Sequence, residues 1–339
     1  MNQQVGSGSL LFEEAPFLIA TASVAGTKEG EGPLGELFDF VLEDDKYGQK
    51  TWEEAESALQ QQALTLAIQK TKLDEKDIRY LFAGDLLGQT IASSFGLMDF
   101  HIPIFGIYGA CSTCGEGLSL GAMTVAAGYA DYLAVVTSSH FASAERQFRF
   151  PLEYANQRPM CATWTVTGSG AFILSSQRGE DTLGKITGIT TGKIVDYGIK
   201  DSMNMGAAMA PAAADLIATH LKDFCRKPGD YDAIITGDLG KVGSQILVDL
   251  LREQDIDIQK QHKDCGTTIF DCENQDVGSG GSGCGCAATT LSACFLPKIQ
   301  KKEMNRILFI PTGALLSTVS FNEGQSVPGI AHGVVIESC

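Results

Sequence analysis

The stretch TWEEAESALQQQALTLAIQKTKLDEKDIRYLFAGDL, residues 51–86, decides the fold, because its plan occurs a second time in the chain. Trp52, Ala55, Leu59, Ala63 and Ala67 recur at helical spacing and make one apolar face. After this helix come Asp77, an apolar run from Ile78 to Ala83, and a Gly-Asp-Leu turn carrying Asp85. Residues 205–239, MGAAMAPAAADLIATHLKDFCRKPGDYDAIITGDL, follow the same order. A helix leads, with Pro211 expected at a bend or in the first turn. Asp230, an apolar run from Tyr231 to Thr236, and Gly-Asp-Leu with Asp238 complete the copy. The spacing of the two Asp residues matches (85 − 77 = 238 − 230 = 8), and the offset between copies is 238 − 85 = 153.

The match extends outward. IPIFGIYGA (102–110) runs into Cys111 and the small-residue segment CSTCGEGLSLGAMTVAAGYA, and SGGSGCGCAATTLSACFLP (279–297) enters a similar segment at Cys284. DYLAVVTSSH (131–140) then answers to NRILFIPTGA (305–314), and VTGSGAFILSS (166–176) to IAHGVVIES (330–338). Elements shared in one order indicate a duplication, with halves at 1–185 and 186–339. Each half reads helix, strand, strand, helix, strand, strand, an α/β pattern of parallel or mixed sheets covered by helices. The Gly- and Ala-rich helices after Cys111 and Cys284 lack a charged face, as a helix held between two sheets must. The expected architecture is therefore a layered α-β-α-β-α arrangement of two duplicated halves.

Composition bounds the function. The 339 residues include 25 basic and 41 acidic side chains, a net charge of −16, with no Lys/Arg cluster. A nucleic-acid backbone needs a basic face, so nucleic acid is excluded as a partner. The 44% hydrophobic content fills a core and excludes general disorder. The longest weakly polar run, Gly117 to Ala130, is short of the ~20 residues a membrane-crossing helix needs. The N-terminal MNQQVGSGSLLFEEAPF has no basic start and places Glu13 and Glu14 where a signal peptide is apolar. Cytosolic synthesis is expected, with the ten cysteines mostly reduced and buried.

Cys111, between a strand and a helix, is the first candidate for chemistry. A thiol at a helix N-terminus meets unpaired N–H groups that favour thiolate, and those groups also hold a carboxylate or an oxyanion. A buried structural cysteine is the competing reading. Cys111 with Cys114, and Cys284 with Cys286, also allow redox or zinc chemistry, disfavoured by the C-x-C spacing and the absence of a thioredoxin-sized unit. Of the five histidines, His220 and His262 are read as solvated and His101 as structural. His140 and His332 end strands that should flank Cys111, where either reaches a pocket or sits satisfied in the core. TSSHFASAERQFRFPLEY (137–154) sets Arg146 and Arg149 among aromatic side chains. It is either a salt-bridged surface loop or a site for an aromatic carboxylate, since Arg forks pair with carboxylates and aromatic faces stack a flat ring.

The segments KEGEGPLGELFD, FAGDLLGQ, FGIYGACST, TSSHFASAERQFRFPLEY, TVTGSGA, MGAAMAPAAAD, ITGDLGKVGS, GGSGCGC, PTGALLS and IAHGVV occur in this order. Through them the chain resembles, over essentially its full length, the stage V sporulation protein AD family of endospore-forming bacteria, which is thiolase-like. The resemblance implies a thiolase-like fold that binds dipicolinic acid (pyridine-2,6-dicarboxylate), alone or as its calcium chelate. It further implies uptake of that ligand into the developing spore, together with other proteins of the same operon at the spore inner membrane, and a homodimer. The thiolase pattern is incomplete here. Where thiolases have Gly-His-Pro, this chain has GSGCGC with Cys284. Where the ketoacyl synthase III type has His and Asn, it has Thr236-Gly237-Asp238 and Ser282 to Cys284. The nucleophile position is Cys111, but the proton-handling partners are missing, which favours a binder over an enzyme.

A flat dianion wants donors at both ends and an apolar slot for its ring. Cys111 and its helix N-terminus are expected to serve one carboxylate and Arg146 or Arg149 the other. Thr137, Ser138 and His140 would act as neutral hydrogen-bonding groups, with Cys284 and His332 nearby. No cofactor or resident metal is expected. Calcium would arrive with the ligand, and Asp238 could complete its coordination. Two other classes remain: an acyltransferase of the thiolase or ketoacyl-synthase type using Cys111, and a scaffold for membrane-channel subunits. Membrane association would be peripheral.

Overall fold

A computed structural model describes residues 3–148, 152–154 and 157–339. The first half contributes β1 (Phe17–Ala25), β2 (Leu81–Gly84), β3 (Ile104–Gly106), β4 (Tyr132–Ser139) and β5 (Gly168–Ser175). The second contributes β6 (Gly184–Thr191), β7 (Ala233–Thr236), β8 (His262–Asp264), β9 (Arg306–Ile310) and β10 (Gly329–Glu337). The helices that matter here are α1 (Trp52–Gln69), α2 (Thr113–Ala126), α3 (Phe141–Phe148), α4 (Met205–Asp223), α5 (Gly240–Arg252) and α6 (Cys284–Thr290).

These strands lie in the order β8-β7-β9-β10-β6-β1-β5-β4-β2-β3. Counted inward from its own edge, each half runs third, second, fourth, fifth, first. The directions repeat too. β2 is parallel to β3 and β4, as β7 is to β8 and β9. The pairs β4–β5 and β5–β1 are antiparallel, as are β9–β10 and β10–β6. The two halves meet where β1 and β6 pair through only Leu18 with Gly184 and Phe17 with Lys185. This narrow seam lets the sheet fold over itself into two faces with helices between them.

Strand alternation builds three separate cores. On β4, Leu133 and Val135 face the middle core, while Ala134 and Val136 face an outer core under α1. On β9, Ile307 and Phe309 face the middle, while Leu308 and Ile310 face a second outer core under α4. Both faces are buried, so these strands read as continuous apolar runs. α2 packs on β4 and β10, and α6 on β5 and β4, so both small-residue helices occupy the middle layer. The five-layer expectation is met.

Local signals set the element ends. Thr51 Oγ1 accepts from Glu54 N–H at 3.2 Å, and Glu54 Oε2 accepts from Thr51 N–H at 3.0 Å, a capping box that starts α1. α4 starts at Met205, where the sequence places a helix, and runs through Pro211, with Asn204 capping its start. His220 is not solvated. It is fully buried on α4, its ring between Thr190 Oγ1 at 2.6 Å and the Tyr231 hydroxyl at 2.5 Å. Burial, then the nearby Arg226 charge, lowers its pKa to about 3, so it stays neutral. His262 lies 2.9 Å from Thr236 Oγ1 on the edge strand β8, and burial lowers its pKa to about 4.

The middle layer depends on close backbone approach. A Cβ added at Gly170 of β5 would lie 2.7 Å from Ala288 Cβ and 2.8 Å from its carbonyl carbon on α6. Neither group can swing away. A Gly170→Val substitution is expected to lower stability by about 2–3 kcal/mol, read as a fall in the urea unfolding midpoint. An unchanged midpoint would mean that α6 is not pressed on β5.

Candidate functional site

A pocket of about 290 Å³ opens between the halves. Leu86, Tyr108, Cys111 and the α3 residues Ala144 and Glu145 form one side; Met203, Met205, Ser282, Leu316 and Phe321 form the other. Thr163 and Thr165 add hydroxyl-bearing side chains to its wall.

Cys111 reaches the floor through a tight turn after β3. Ala110 has φ +50°, a left-handed conformation costing about 1–2 kcal/mol for a residue with a Cβ. The turn is held by Ser112 Oγ donating to Gly109 O at 2.7 Å and Thr113 Oγ1 donating to Ala110 O at 2.6 Å. Cys111 Sγ lies 3.8 Å from Ser282 Oγ, which donates to Asp238 Oδ2 at 2.8 Å. Gly283 N–H donates to the same oxygen at 3.0 Å, and Thr312 Oγ1 donates to Oδ1 at 2.7 Å. One carboxylate thus ties the end of β7 to the entry of α6 and to the segment after β9. Its counterpart Asp85 does similar work, accepting from Leu87 N–H, Ser93 N–H and Ser93 Oγ at 2.8, 2.8 and 2.6 Å. The repeated Gly-Asp-Leu is an anchored turn in each half.

These surroundings reverse the expected thiolate. Burial, and next the Asp238 charge, push the Cys111 thiol well above its ordinary pKa; hydrogen bonds from Ser282 and Gly283 oppose this without overcoming it. Burial also raises Asp238, against the hydrogen bonds it accepts. The helix terminus is outweighed because charge on sulfur would face a sealed carboxylate.

The other sequence candidates divide sharply. Cys284 is fully buried behind the pocket, with its thiol donating to Ser138 O at 2.8 Å. Ser138 Oγ donates to Glu56 Oε1 at 2.9 Å, and Thr137 is buried beside Cys114. His140 is a core histidine: Nε2 donates to Asp45 O at 2.7 Å and Nδ1 accepts from Ala142 N–H at 3.1 Å, which sets the tautomer. Burial holds its pKa below the ordinary value despite the opposing bond and charge of Asp45. His332 is buried on β10, lowered to about 4 by burial. Neither histidine is among the described lining residues. Arg146 turns outward to pair with Glu53, and Arg149 lies outside the described residues. The structure therefore gathers Cys111 and Asp238, with Cys284, Ser138 and Thr137 behind them, and leaves His140, His332 and Arg146 elsewhere. All ten cysteines are free thiols.

Sequence reasoning noticed Ser282 only as an absent Asn, and it passed over Thr163, Met203, Met205, Leu316 and Phe321. These wall residues sit in connections with no motif of their own. The second Gly-Asp-Leu was the available signal for Ser282, since its carboxylate needed donors.

The family model of stage V sporulation protein AD (SpoVAD) matches residues 6–337. The chain belongs to the SpoVAD family. It is 43% identical over 332 residues to the Stage V sporulation protein AD of Bacillus subtilis (strain 168), covering 98% of this chain and 97% of that protein. Similar solved structures include a 3-oxoacyl-[acyl-carrier-protein] synthase III from Aquifex aeolicus VF5, with TM-score 0.57, 13% identity, and 95% and 99% of the two chains covered. Cerulenin-bound OleA of Xanthomonas campestri gives 0.60, 14%, and 96% and 100%. The Acat5 thiolase of Ascaris suum, in complex with coenzyme A, gives 0.58, 11%, and 96% and 100%. At such identities these likenesses show the fold alone, and that fold is thiolase-like. Members of the SpoVAD family thus share an architecture with condensing enzymes, while Cys111 in this chain sits against Ser282 and Asp238.

Cys111 is expected to react slowly with iodoacetamide near neutral pH, and Asp238→Asn is expected to speed it. Removing the carboxylate charge lowers the thiol pKa, and each drop of one in that pKa gives roughly tenfold more thiolate. Equal rates in the two proteins, measured by mass of the Cys111 peptide, would mean that Asp238 does not govern the thiol.

Proposed function

We propose that this SpoVAD-family chain binds dipicolinic acid without transforming it, for uptake into the developing spore. The observation that carries the reading is the Cys111–Ser282–Asp238 array. A nucleophilic thiol needs a base or a lowered pKa, whereas burial and Asp238 keep this thiol protonated. A neutral S–H and the Ser282 hydroxyl are hydrogen-bonding groups at the floor of a pocket of about 290 Å³, near the small end of ligand-pocket sizes, whose walls combine Leu86, Met203, Leu316 and Phe321 with the Thr163 and Thr165 hydroxyls.

Charge favours the calcium chelate over the free dianion. The described lining contains the carboxylate Glu145 and no Lys or Arg, with Asp238 directly behind Cys111. A dianion gains little from such walls in a chain of net charge −16, whereas a one-to-one calcium chelate is neutral. Arg149, just beyond α3, is the remaining sequence candidate for a carboxylate contact. Among the described residues no helix is long and apolar enough to cross a membrane. Placement at the spore inner membrane would run through other proteins of the operon.

The homodimer reading rests on the free edge of β3. Ile104 and Phe105 are 45% and 53% exposed there, and the exposed Tyr129 lines one surface depression with Phe105. An unpaired apolar strand edge is a template for another chain, and a second copy supplies the matching edge across a two-fold axis. Phe105→Asp is expected to halve the mass measured by sedimentation equilibrium, and a monomeric parent chain would remove the reading.

Calorimetric titration with pyridine-2,6-dicarboxylate tests the ligand, with and without calcium and with the 2,3-isomer as control. Saturable binding of the 2,6-isomer, strengthened by calcium and weakened about tenfold or more by Ser282→Ala, is expected. Absence of binding in both conditions would overturn the ligand reading and favour a scaffold.

A further inference from the structure

A second polar cluster lies behind the pocket and is not used by the ligand reading. Glu56, on the inner face of α1, is fully buried. Its Oε1 accepts from Ser138 Oγ of β4 at 2.9 Å, and its Oε2 lies 2.6 Å from Ser143 Oγ of α3. Gln60, one turn further along α1, donates to Ser138 Oγ at 2.8 Å and to Ser93 Oγ at 2.9 Å. Ser93 Oγ in turn donates to Asp85. Two carboxyl groups therefore share one sealed network, and among the described residues no Lys or Arg bonds to either.

The network has the hydrogens for one ionised carboxylate and one neutral acid. Asp85 accepts from three donors, as a carboxylate does. Glu56 can donate through Oε2–H to Ser143 Oγ, whose own proton then turns to His140 O at 3.1 Å. With Glu56 ionised, Ser143 must donate back to it instead. The titratable groups facing Glu56 are Asp85 after β2, Glu53 on its own helix, and the Cys284 thiol of α6. Asp85 and Glu53 oppose a second negative charge, while burial keeps the Cys284 thiol neutral. Arg146 of α3 is engaged with Glu53.

α3 is short, and it supplies Ala144 and Glu145 to the pocket wall. Its side-chain ties to α1 are Ser143 to Glu56 and Arg146 to Glu53. We propose that Glu56 is a protonation-dependent latch for α3: with neutral Glu56 the latch is closed and holds the helix, and with it one wall of the pocket, against α1, and an ionised Glu56 releases it. Burial, and then the Asp85 charge, raise the Glu56 pKa to about 8 against the hydrogen bonds from Ser143 and Ser138. The released state exposes Glu56 to water, where its pKa returns to about 4.3. The closed state thus binds the extra proton between these limits. It is favoured at the acid end, loses ground as pH rises, and stops losing once closed Glu56 itself ionises.

The consequence for the ligand rests on the reading above, so the test separates the two. Hydrogen–deuterium exchange of the α3 amides in the full chain is measured from about pH 5.5 to 8.5, after correction for the intrinsic pH dependence of exchange. Corrected opening is expected to increase by up to roughly tenfold per pH unit and to level off near the top of the range. Glu56→Gln, which keeps the shape of the neutral acid, is expected to remove the slope. Ser143→Ala, which cuts the tie from the other side, is expected to raise opening at the acid end. A flat wild-type profile, an undiminished slope in Glu56→Gln, or unchanged opening in Ser143→Ala overturns the latch; if Glu56→Gln fails to fold, the wild-type series and Ser143→Ala still decide. Pyridine-2,6-dicarboxylate is titrated over the same range. Switching exchange with no binding at any pH removes the ligand reading and supports the latch. Binding that is constant with pH beside flat exchange overturns the latch alone.

Discussion

Two helices packed between two sheets, with water excluded from most of their surface, are the constraint on which the rest of this structure depends. α6 is built wholly from Gly, Ala, Thr and Cys, α2 is mostly small residues and reaches solvent near Met123, and glycine at contact points such as Gly170 lets backbones approach. The same dryness governs the chemistry. A thiol or carboxyl at the edge of this layer pays desolvation when charged, so Cys111, Cys284 and Asp238 are all pushed toward their neutral forms. A helix N-terminus that would activate a cysteine at a wetter site is outweighed here by burial and by the Asp238 charge.

The duplicated Gly-Asp-Leu turns show how the fold closes around this layer. Asp85 and Asp238 each collect backbone and hydroxyl donors from segments that meet where a strand ends. The second anchor also places Ser282 against Cys111, and the first joins Glu56 in the network beneath α3. Identical topology therefore serves different ends in the two halves. One copy finishes the pocket floor, and the other ends in the polar cluster that braces a pocket wall.

A cysteine at the strand-to-helix junction of this thiolase-like architecture is held toward its protonated form, by burial and then by the Asp238 charge. The relatives in structure are enzymes, and they share the layers. In this chain hydroxyl and carboxylate side chains stand around the sulfur, His140 is hydrogen-bonded within the core, and His332 is buried on β10. Fold and function separate at the level of a few side chains.

By itself the sequence determined the duplication, the α/β layering and the position of Cys111 at a strand-to-helix junction, because periodicity, small-residue runs and repeated turns are local signals. The anchoring role of Asp238 was half visible: the repeated motif stood out, but its carboxylate was read as a candidate calcium ligand. Only the tertiary structure decided which way the site side chains point. His140 is turned from the pocket by Asp45, 95 residues away, and Arg146 by Glu53, 93 residues away. Glu56 meets Ser138 and Ser143 across 82 and 87 residues. The Cys111 thiol is likewise kept protonated by burial and then by a carboxylate on the other half of the chain. Such contacts follow from the stacking of layers, and no window of sequence contains both partners. Protonation is set by the sum of burial and charge around a group, and that sum exists only after the two halves have closed on each other.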